Sequence, residues 1–213
     1  MLTVHGVPLS PFVRKLLLTL EYKELSYENV PVFPADESPE FRAISPLGKV
    51  PVLDHDGFTV CDTSVSCRYI DRLFPDKPIY PTDPVLEARA CWLEEFADTK
   101  LIENCAGLFR QRFLNPKFFN QPTDEAVVQD ILDNGMPEAL SYLETQVPEN
   151  GYLVGETLTI ADIAVVTCFI QARYGDFDVP GDEYPKLRNY LDRALASPIV
   201  TARVEKETEG LPF

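Results

Sequence analysis

Four prolines fall within the eleven residues from Phe74 to Pro84, at positions 75, 78, 81 and 84. Proline fixes φ and has no N–H to donate, so this stretch can be neither a helix interior nor a central strand. It reads as a stiff, extended connector. It divides the 213-residue chain into a first domain, 1–75, a linker, 76–84, and a second domain, 85–213. A chain of this length buries a substantial core without disulfide or metal staples.

The first part mixes strands and helices. Leu2 to Val7 reads as a strand. Ser10 followed by Pro11 is a helix start, with Ser at the N-cap and Pro at the first helical position. Val13, Leu16, Leu17 and Leu20 then recur at helical spacing to Lys23. Leu25 to Val32 reads as a second strand and Glu40 to Ile44 as a helical turn. Val50 to Leu53 and Phe58 to Cys61 alternate around Asp56-Gly57, a two-residue hairpin signal. Asp62 to Phe74 reads as a helix, so the order is βαβαββα.

The second part reads as all-helical. A long amphipathic segment is expected from Asp83 or Pro84 to Leu114. Another runs from Thr123 to Gln146, with a bend or break at Gly135 and Pro137. Helices over 159–174, 184–195 and 198–206 follow. Thr159 and Asp162 stand at capping-box spacing, with Leu158 and Ile163 placed as a hydrophobic staple. Such a start stabilises its helix by about 1 kcal/mol, and the reading of Thr159 and Asp162 is structural.

Charge and cysteine content limit the partners. The chain has 19 basic and 34 acidic residues, a net charge of −15. That balance repels phosphate backbones and anionic lipid, so neither nucleic acid nor a membrane surface is an expected partner. The longest apolar runs, such as Ile163 to Val166, fall far below the roughly 20 residues a membrane helix needs. The opening MLTVHGVP carries no basic stretch ahead of an apolar one, so no signal peptide is expected. Five scattered cysteines form no disulfide framework, and two histidines with no CxxC pair make a zinc site improbable. A reducing, cytoplasmic setting is expected, with most cysteines acting as small hydrophobes.

Four local patterns, in this order along the chain, then carry a resemblance. They are Pro8-Leu9-Ser10-Pro11-Phe12-Val13-Arg14, Ser45-Pro46-Leu47-Gly48-Lys49-Val50-Pro51-Val52-Leu53, Asp62-Thr63-Ser64-Val65-Ser66-Cys67-Arg68-Tyr69-Ile70 and Gly155-Glu156-Thr157-Leu158-Thr159-Ile160-Ala161-Asp162. With them the chain resembles the cytosolic glutathione transferases, in a serine-type, bacterial-like form. The resemblance spans nearly the whole length. It implies a thioredoxin-like N-terminal domain (βαβαββα) and an all-α C-terminal helical domain.

The resemblance also implies roles. Glutathione must be held by its thiol, carboxylates and amine, and its thiol, with an ordinary pKa near 8.5, must be favoured as thiolate. Ser10 is implied as the catalytic residue, its hydroxyl donating to the sulfur at a helix N-terminus whose dipole also favours negative charge. The Phe12 backbone N–H is the alternative donor. A helix cap is the competing reading of Ser10. Val50-Pro51 is similar to the family's cis-proline motif, with the Val50 backbone pairing with the cysteinyl part. Asp62 and Thr63 stand where relatives carry Glu-Ser and would hold the γ-glutamyl end. The carboxylate here is one methylene shorter. Lys49 would meet the glycine carboxylate. Phe109, Phe113 and Tyr174 are candidates for a second-substrate pocket, with plain core as the competing reading. Arg14 and Arg68 read as structural or interdomain partners, and His5 as structural.

The implied activity is transfer of glutathione to small apolar electrophiles in detoxification. Glutathione is the co-substrate, with no metal or redox cofactor, and a homodimer is expected. Two alternatives stand beside it. One is a glutathione-dependent disulfide reductase or peroxidase, although relatives of that kind place Cys where Ser10 stands. The other is a non-enzymatic partner-binding module of the same fold.

Overall fold

The computed structural model describes residues 1–209. These fall into two compact units, the first built from Met1–Tyr80 together with residues 198–209, the second from Pro81 to Ser197.

The first unit holds β1 (Leu2–His5), α1 (Pro11–Tyr22), β2 (Tyr27–Val30), α2 (Pro39–Ile44), β3 (Val52–His55), β4 (Phe58–Val60) and α3 (Thr63–Leu73). The sheet order is β2-β1-β3-β4. β1 and β2 are parallel, with Leu2 opposite Tyr27. β3 runs antiparallel to β1, with His5 opposite Val52. β4 returns antiparallel to β3, with His55 opposite Phe58. Asp56 and Gly57 make the hairpin turn with φ of 51° and 89°, the two positive values a twist-matched two-residue turn requires. β1 and β4 end two residues and one residue earlier than the sequence pattern predicts, β2 is two residues shorter at each end, and β3 lies two residues further along, starting at Val52 and running to His55. The core of this unit centres on Val4, Leu16, Leu20, Leu53 and Ile70, all fully buried.

The second unit is all-helical. It contains α4 (Pro84–Phe96), α5 (Ile102–Phe109), α6 (Asn115–Lys117), α7 (Glu125–Asp130), α8 (Met136–Gln146), α9 (Ile160–Tyr174) and α10 (Pro185–Leu195). The long segment expected from Pro84 is one helical path through α6, with wide π-helical turns at Ala97–Leu101 and Arg110–Leu114. At Gly135 and Pro137 the chain does not break. A third π-turn, Ile131–Gly135, carries α7 into α8. Its extra residue lets Pro137 follow without breaking the path, because proline cannot donate the usual turn bond. Gly135 is needed there, since an added Cβ would lie 1.9 Å from the Asn104 Oδ1.

α9 is the centre of this unit. Every residue from Ile160 to Ala172 is buried, which explains why its sequence is apolar on all faces. Its start is the predicted capping box, extended into a hub. The Asp162 carboxylate accepts from the Thr159 N–H at 2.9 Å, the Thr159 hydroxyl at 3.0 Å, the Leu153 N–H at 2.9 Å and the Tyr190 hydroxyl at 2.9 Å. Its end is equally tight. A Cβ on Gly175 would sit 2.7 Å from the Leu108 carbonyl carbon and 2.8 Å from the Phe109 nitrogen. Gly175→Ala must therefore push backbone from backbone, at a cost of about 1–3 kcal/mol. Urea melts should show the midpoint falling with an unchanged slope; an unmoved midpoint would mean α5 and α9 part freely.

Two boundaries differ from the sequence reading. The closing helix α11 (Pro198–Thr208) was expected in the helical half and packs instead on α1 of the first unit. Its Glu207 and Arg203 meet Arg14 and Glu21 there, at 2.8 and 3.1 Å. The start of the linker is also part of the first unit. The Asp71 carboxylate accepts from the Ile79 N–H at 2.9 Å and the Lys23 ammonium at 2.7 Å. The same ammonium donates to the carbonyls of Asp76 and Lys77, both at 3.0 Å. These bonds hold residues 76–80 down, and Ile79 and Tyr80 are buried.

Candidate functional site

Strand directions bring three segments to one edge of the first unit. β1 ends there at His5 and leads into the turn before α1. β3 begins there, opposite His5, just after Val50-Pro51. β4, antiparallel to β3, ends there at Val60 and leads through Cys61 into α3. The N-termini of α1 and α3 and the loop before β3 therefore share an edge. Each N-terminus presents unpaired backbone N–H groups and partial positive charge, so the edge suits an anionic ligand.

Ser10 occupies the N-cap of α1 with extended backbone (φ −67°, ψ 128°), yet its hydroxyl makes no capping bond. Only its main chain is engaged. The Ser10 N–H donates to the Val7 carbonyl at 3.0 Å, and its own carbonyl accepts from the Arg14 N–H at 2.9 Å. The cap reading of the side chain thus fails. Ser10 and Phe12 are both half-buried.

The Val50-Pro51 peptide is cis, the geometry the motif implied. Val50 is 9% exposed, and no bond to its main-chain N–H or carbonyl occurs among the described residues. Gly6, with φ of +151°, lets this loop approach β1; a Cβ there would lie 2.5 Å from the Val13 Cγ2 and 3.1 Å from the Val50 Cβ. Lys49 is exposed. Its carbonyl accepts from the Ser45 hydroxyl at 2.7 Å, and its ammonium has no ion-pair partner among the described residues.

Asp62 caps α3, one carboxylate oxygen accepting from the Val65 N–H at 2.9 Å. It is exposed, so the other oxygen faces outward. Thr63 is buried at the first position of the helix. Asp62 therefore combines the capping role with an open acceptor.

Phe109, Phe113 and Tyr174 do come together, in the helical unit. The Phe109 and Phe113 rings stack with centroids 5.1 Å apart, and Tyr174 lies 6.1 and 6.2 Å from them. Phe109 and Phe113 are buried, at 6% and 2% exposure, and behave as core; only Tyr174 keeps appreciable surface. Arg14 and Arg68 are structural in the first unit, Arg14 paired with Glu207 and Arg68 lying 4.2 Å over the Tyr80 ring.

Sequence reasoning missed two supports of the site. Arg42 bonds the Pro46 carbonyl and Glu37 beneath the loop that carries Lys49, and only Gly48, at φ +63°, leaves room for its guanidinium. Lys15 is fully buried and donates to the Ser64 hydroxyl at 3.0 Å, tying α1 to α3 beside the two N-termini. Both are local enough that the charged residues next to each motif were the available signal. Among the described residues no His, Cys, Asp and Glu side chains cluster as metal ligands, and no helix is long and apolar enough to cross a membrane.

A four-stranded thioredoxin-like unit with a cis-proline loop, followed by an all-helical unit, defines a protein of the glutathione-transferase fold. The comparisons with known proteins agree. The glutathione S-transferase N-terminal domain family matches residues 4–78, and the C-terminal domain family matches residues 109–198. Glutathione S-transferase U22 of Arabidopsis thaliana is 32% identical over 158 residues, covering 73% of this chain and 66% of that protein. Elongation factor 1-gamma of Prunus avium is 26% identical over 218 residues, covering 99% of this chain and 50% of that protein, so the chain spans about half the length of that relative. The crystal structure of a glutathione S-transferase from Rhodospirillum rubrum F11 superposes with a TM-score of 0.82 at 25% identity, covering 95% of this chain and 91% of that one. The two matched domains span more than half of the chain, which belongs to the glutathione S-transferase family.

Proposed function

We propose that the protein binds glutathione at the shared edge of its first unit, holds the thiol as thiolate and transfers it to small apolar electrophiles. The observation that carries this reading is the Ser10 hydroxyl, which sits at a helix N-terminus and is spent on no capping bond. A hydroxyl donating to sulfur stabilises the charged form, and the α1 N-terminus adds to that. Phe12 N–H is the second donor at this turn. The unpaired main chain of Val50 beside Pro51 suits the cysteinyl backbone. Asp62 and Thr63 suit the γ-glutamyl end, and the Lys49 ammonium suits the glycine carboxylate. Tyr174 is the most accessible of the three second-substrate candidates, Phe109 and Phe113 being buried beside it in the helical unit. The reaction uses glutathione as co-substrate and requires no metal or redox cofactor. A serine-type, bacterial-like subclass, a detoxifying role in the cytoplasm and a homodimer complete the proposal. Elution near the 24.0 kDa monomer mass in sizing chromatography would remove the dimer.

Calorimetric titration with reduced glutathione tests the reading. The wild-type chain should bind, and Asp62→Asn, which keeps a capping oxygen and loses the charge, should bind about tenfold more weakly. Equal affinity in the two would take Asp62 out of the site.

The elongation factor 1-gamma likeness supports a second reading, a non-enzymatic partner-binding module. Absence of any glutathione heat or thermal shift, with stoichiometric capture of a protein partner, would put that reading first. A disulfide reductase or peroxidase is less favoured, because Ser10 stands where a nucleophilic thiol is needed; faster turnover of a mixed disulfide than of a halogenated aromatic would reverse that order.

A further inference from the structure

We infer that Glu207, acting through Arg14, is a positioning residue for the turn that carries Ser10; the inference rests on the thiolate-stabilising role proposed for Ser10. Because the Ser10 hydroxyl makes no capping bond, nothing on its own side chain sets its direction. Its aim is set by the backbone, through the peptide that joins Leu9 to Ser10. Both polar groups of that peptide are held. Its N–H donates to the Val7 carbonyl at 3.0 Å. Its carbonyl, that of Leu9, accepts from an Arg14 terminal nitrogen at 3.3 Å. The next carbonyl, that of Ser10, accepts from the Arg14 main-chain N–H at 2.9 Å. One residue therefore grips the turn by both its side chain and its main chain.

The guanidinium can grip Leu9 only if its plane is fixed, and Glu207 fixes it. The Arg14 Nε lies 2.8 Å from the Glu207 Oε1 and 2.9 Å from Oε2, and a terminal nitrogen lies 2.8 Å from Oε1. Both side chains are fully buried. Several nitrogen–oxygen contacts set orientation as well as distance, which a single point charge would not do. The second link between α11 and this unit, Arg203 to Glu21 and Tyr27 at 3.1 and 3.2 Å, contacts neither Leu9 nor Ser10. The Arg203 Nε also lies 4.0 Å from the Glu207 Oε2, so the residue that separates docking of the helix from aiming of the turn is Glu21, which pairs with Arg203 and Lys206 at 3.1 and 3.3 Å and contacts neither Arg14 nor Glu207.

Three substitutions in the full chain test this: Glu207→Gln, Arg14→Lys and, as a docking control, Glu21→Gln. The readouts are the ultraviolet absorbance of enzyme-bound glutathione thiolate against pH, and kcat and KM with glutathione and a halogenated nitroaromatic. Glu207→Gln should raise the apparent thiol pKa by about one unit. It should lower kcat roughly ten- to a hundredfold with little change in the glutathione KM. Arg14→Lys, with one nitrogen for two partners, should do the same and replaces Glu207→Gln if that variant does not fold. Glu21→Gln should lower the melting temperature and leave the thiolate titration in place. A wild-type titration in Glu207→Gln or Arg14→Lys overturns the inference, as does an equal shift in Glu21→Gln. If the wild-type chain binds no glutathione, or Ser10→Ala titrates as wild type, it is the proposed role of Ser10 that fails.

Discussion

Ser10→Ala should lower turnover of a halogenated nitroaromatic with glutathione by about 10²–10³-fold, the usual cost of removing one aimed donor from a developing or resident anion. Its stability should stay within about 0.5 kcal/mol of wild type. The combination is the informative part. A serine that caps its helix loses about 0.5–2 kcal/mol on truncation to alanine, but the Ser10 hydroxyl makes no such bond. Stability and activity should therefore separate cleanly. Full activity in Ser10→Ala would move thiolate stabilisation to the Phe12 N–H. A large stability loss would mean the hydroxyl turns back onto its helix in solution. Steady-state kinetics beside a thermal melt of the same preparation decide between these outcomes.

Asp162→Asn should cost about 3–5 kcal/mol, the range for breaking a buried charged network from one side. The carboxylate is 3% exposed and meets four donors from three segments. An asparagine amide turns its own N–H₂ toward two of them, leaving buried donors facing donors. Its pH signature can also be worked out. Burial is the largest cause acting on the group and raises its pKa above the ordinary carboxylate value. The folded state then holds the proton more tightly than the unfolded state. This group's contribution is full below about pH 3.9, the unfolded value, and declines as pH rises through the folded one. Wild-type stability minus that of Asp162→Asn, measured by urea melts across the acid range, should fall as pH rises. A flat difference would show that the four donors offset the burial.

How much of this was legible in the sequence depended on distance along the chain. The hairpin at Asp56-Gly57, the helix start at Ser10-Pro11 and the box at Thr159 are written in adjacent residues, and each stands where the pattern puts it. The site's segments were found for the same reason: turn, cis-proline loop and helix start are each short motifs. What the sequence does not encode locally was missed. Whether an N-cap hydroxyl turns back onto its helix is a rotamer choice, so Ser10 had two open readings. Glu207 and Arg14 are 193 positions apart, and nothing near either names the other, so α11 was assigned to the wrong unit. Phe109 and Phe113 lie at a spacing that serves a pocket wall and a core equally well. The wide turn at Ile131–Gly135 was read as a bend or break, because glycine and proline mark both and neither marks a π-turn.

The place of α11 has a consequence for the order in which the protein is made. The sheet and its helices emerge first from the ribosome, but Arg14 then lies in an apolar interior without its carboxylate, a state that costs several kcal/mol. Glu207 follows 193 residues later, a delay of roughly 10–40 s at ordinary synthesis rates. Until then, full burial of Arg14 in the first unit carries that cost. The last helix described thus supplies the counter-charge that the first helix needs for its buried arginine.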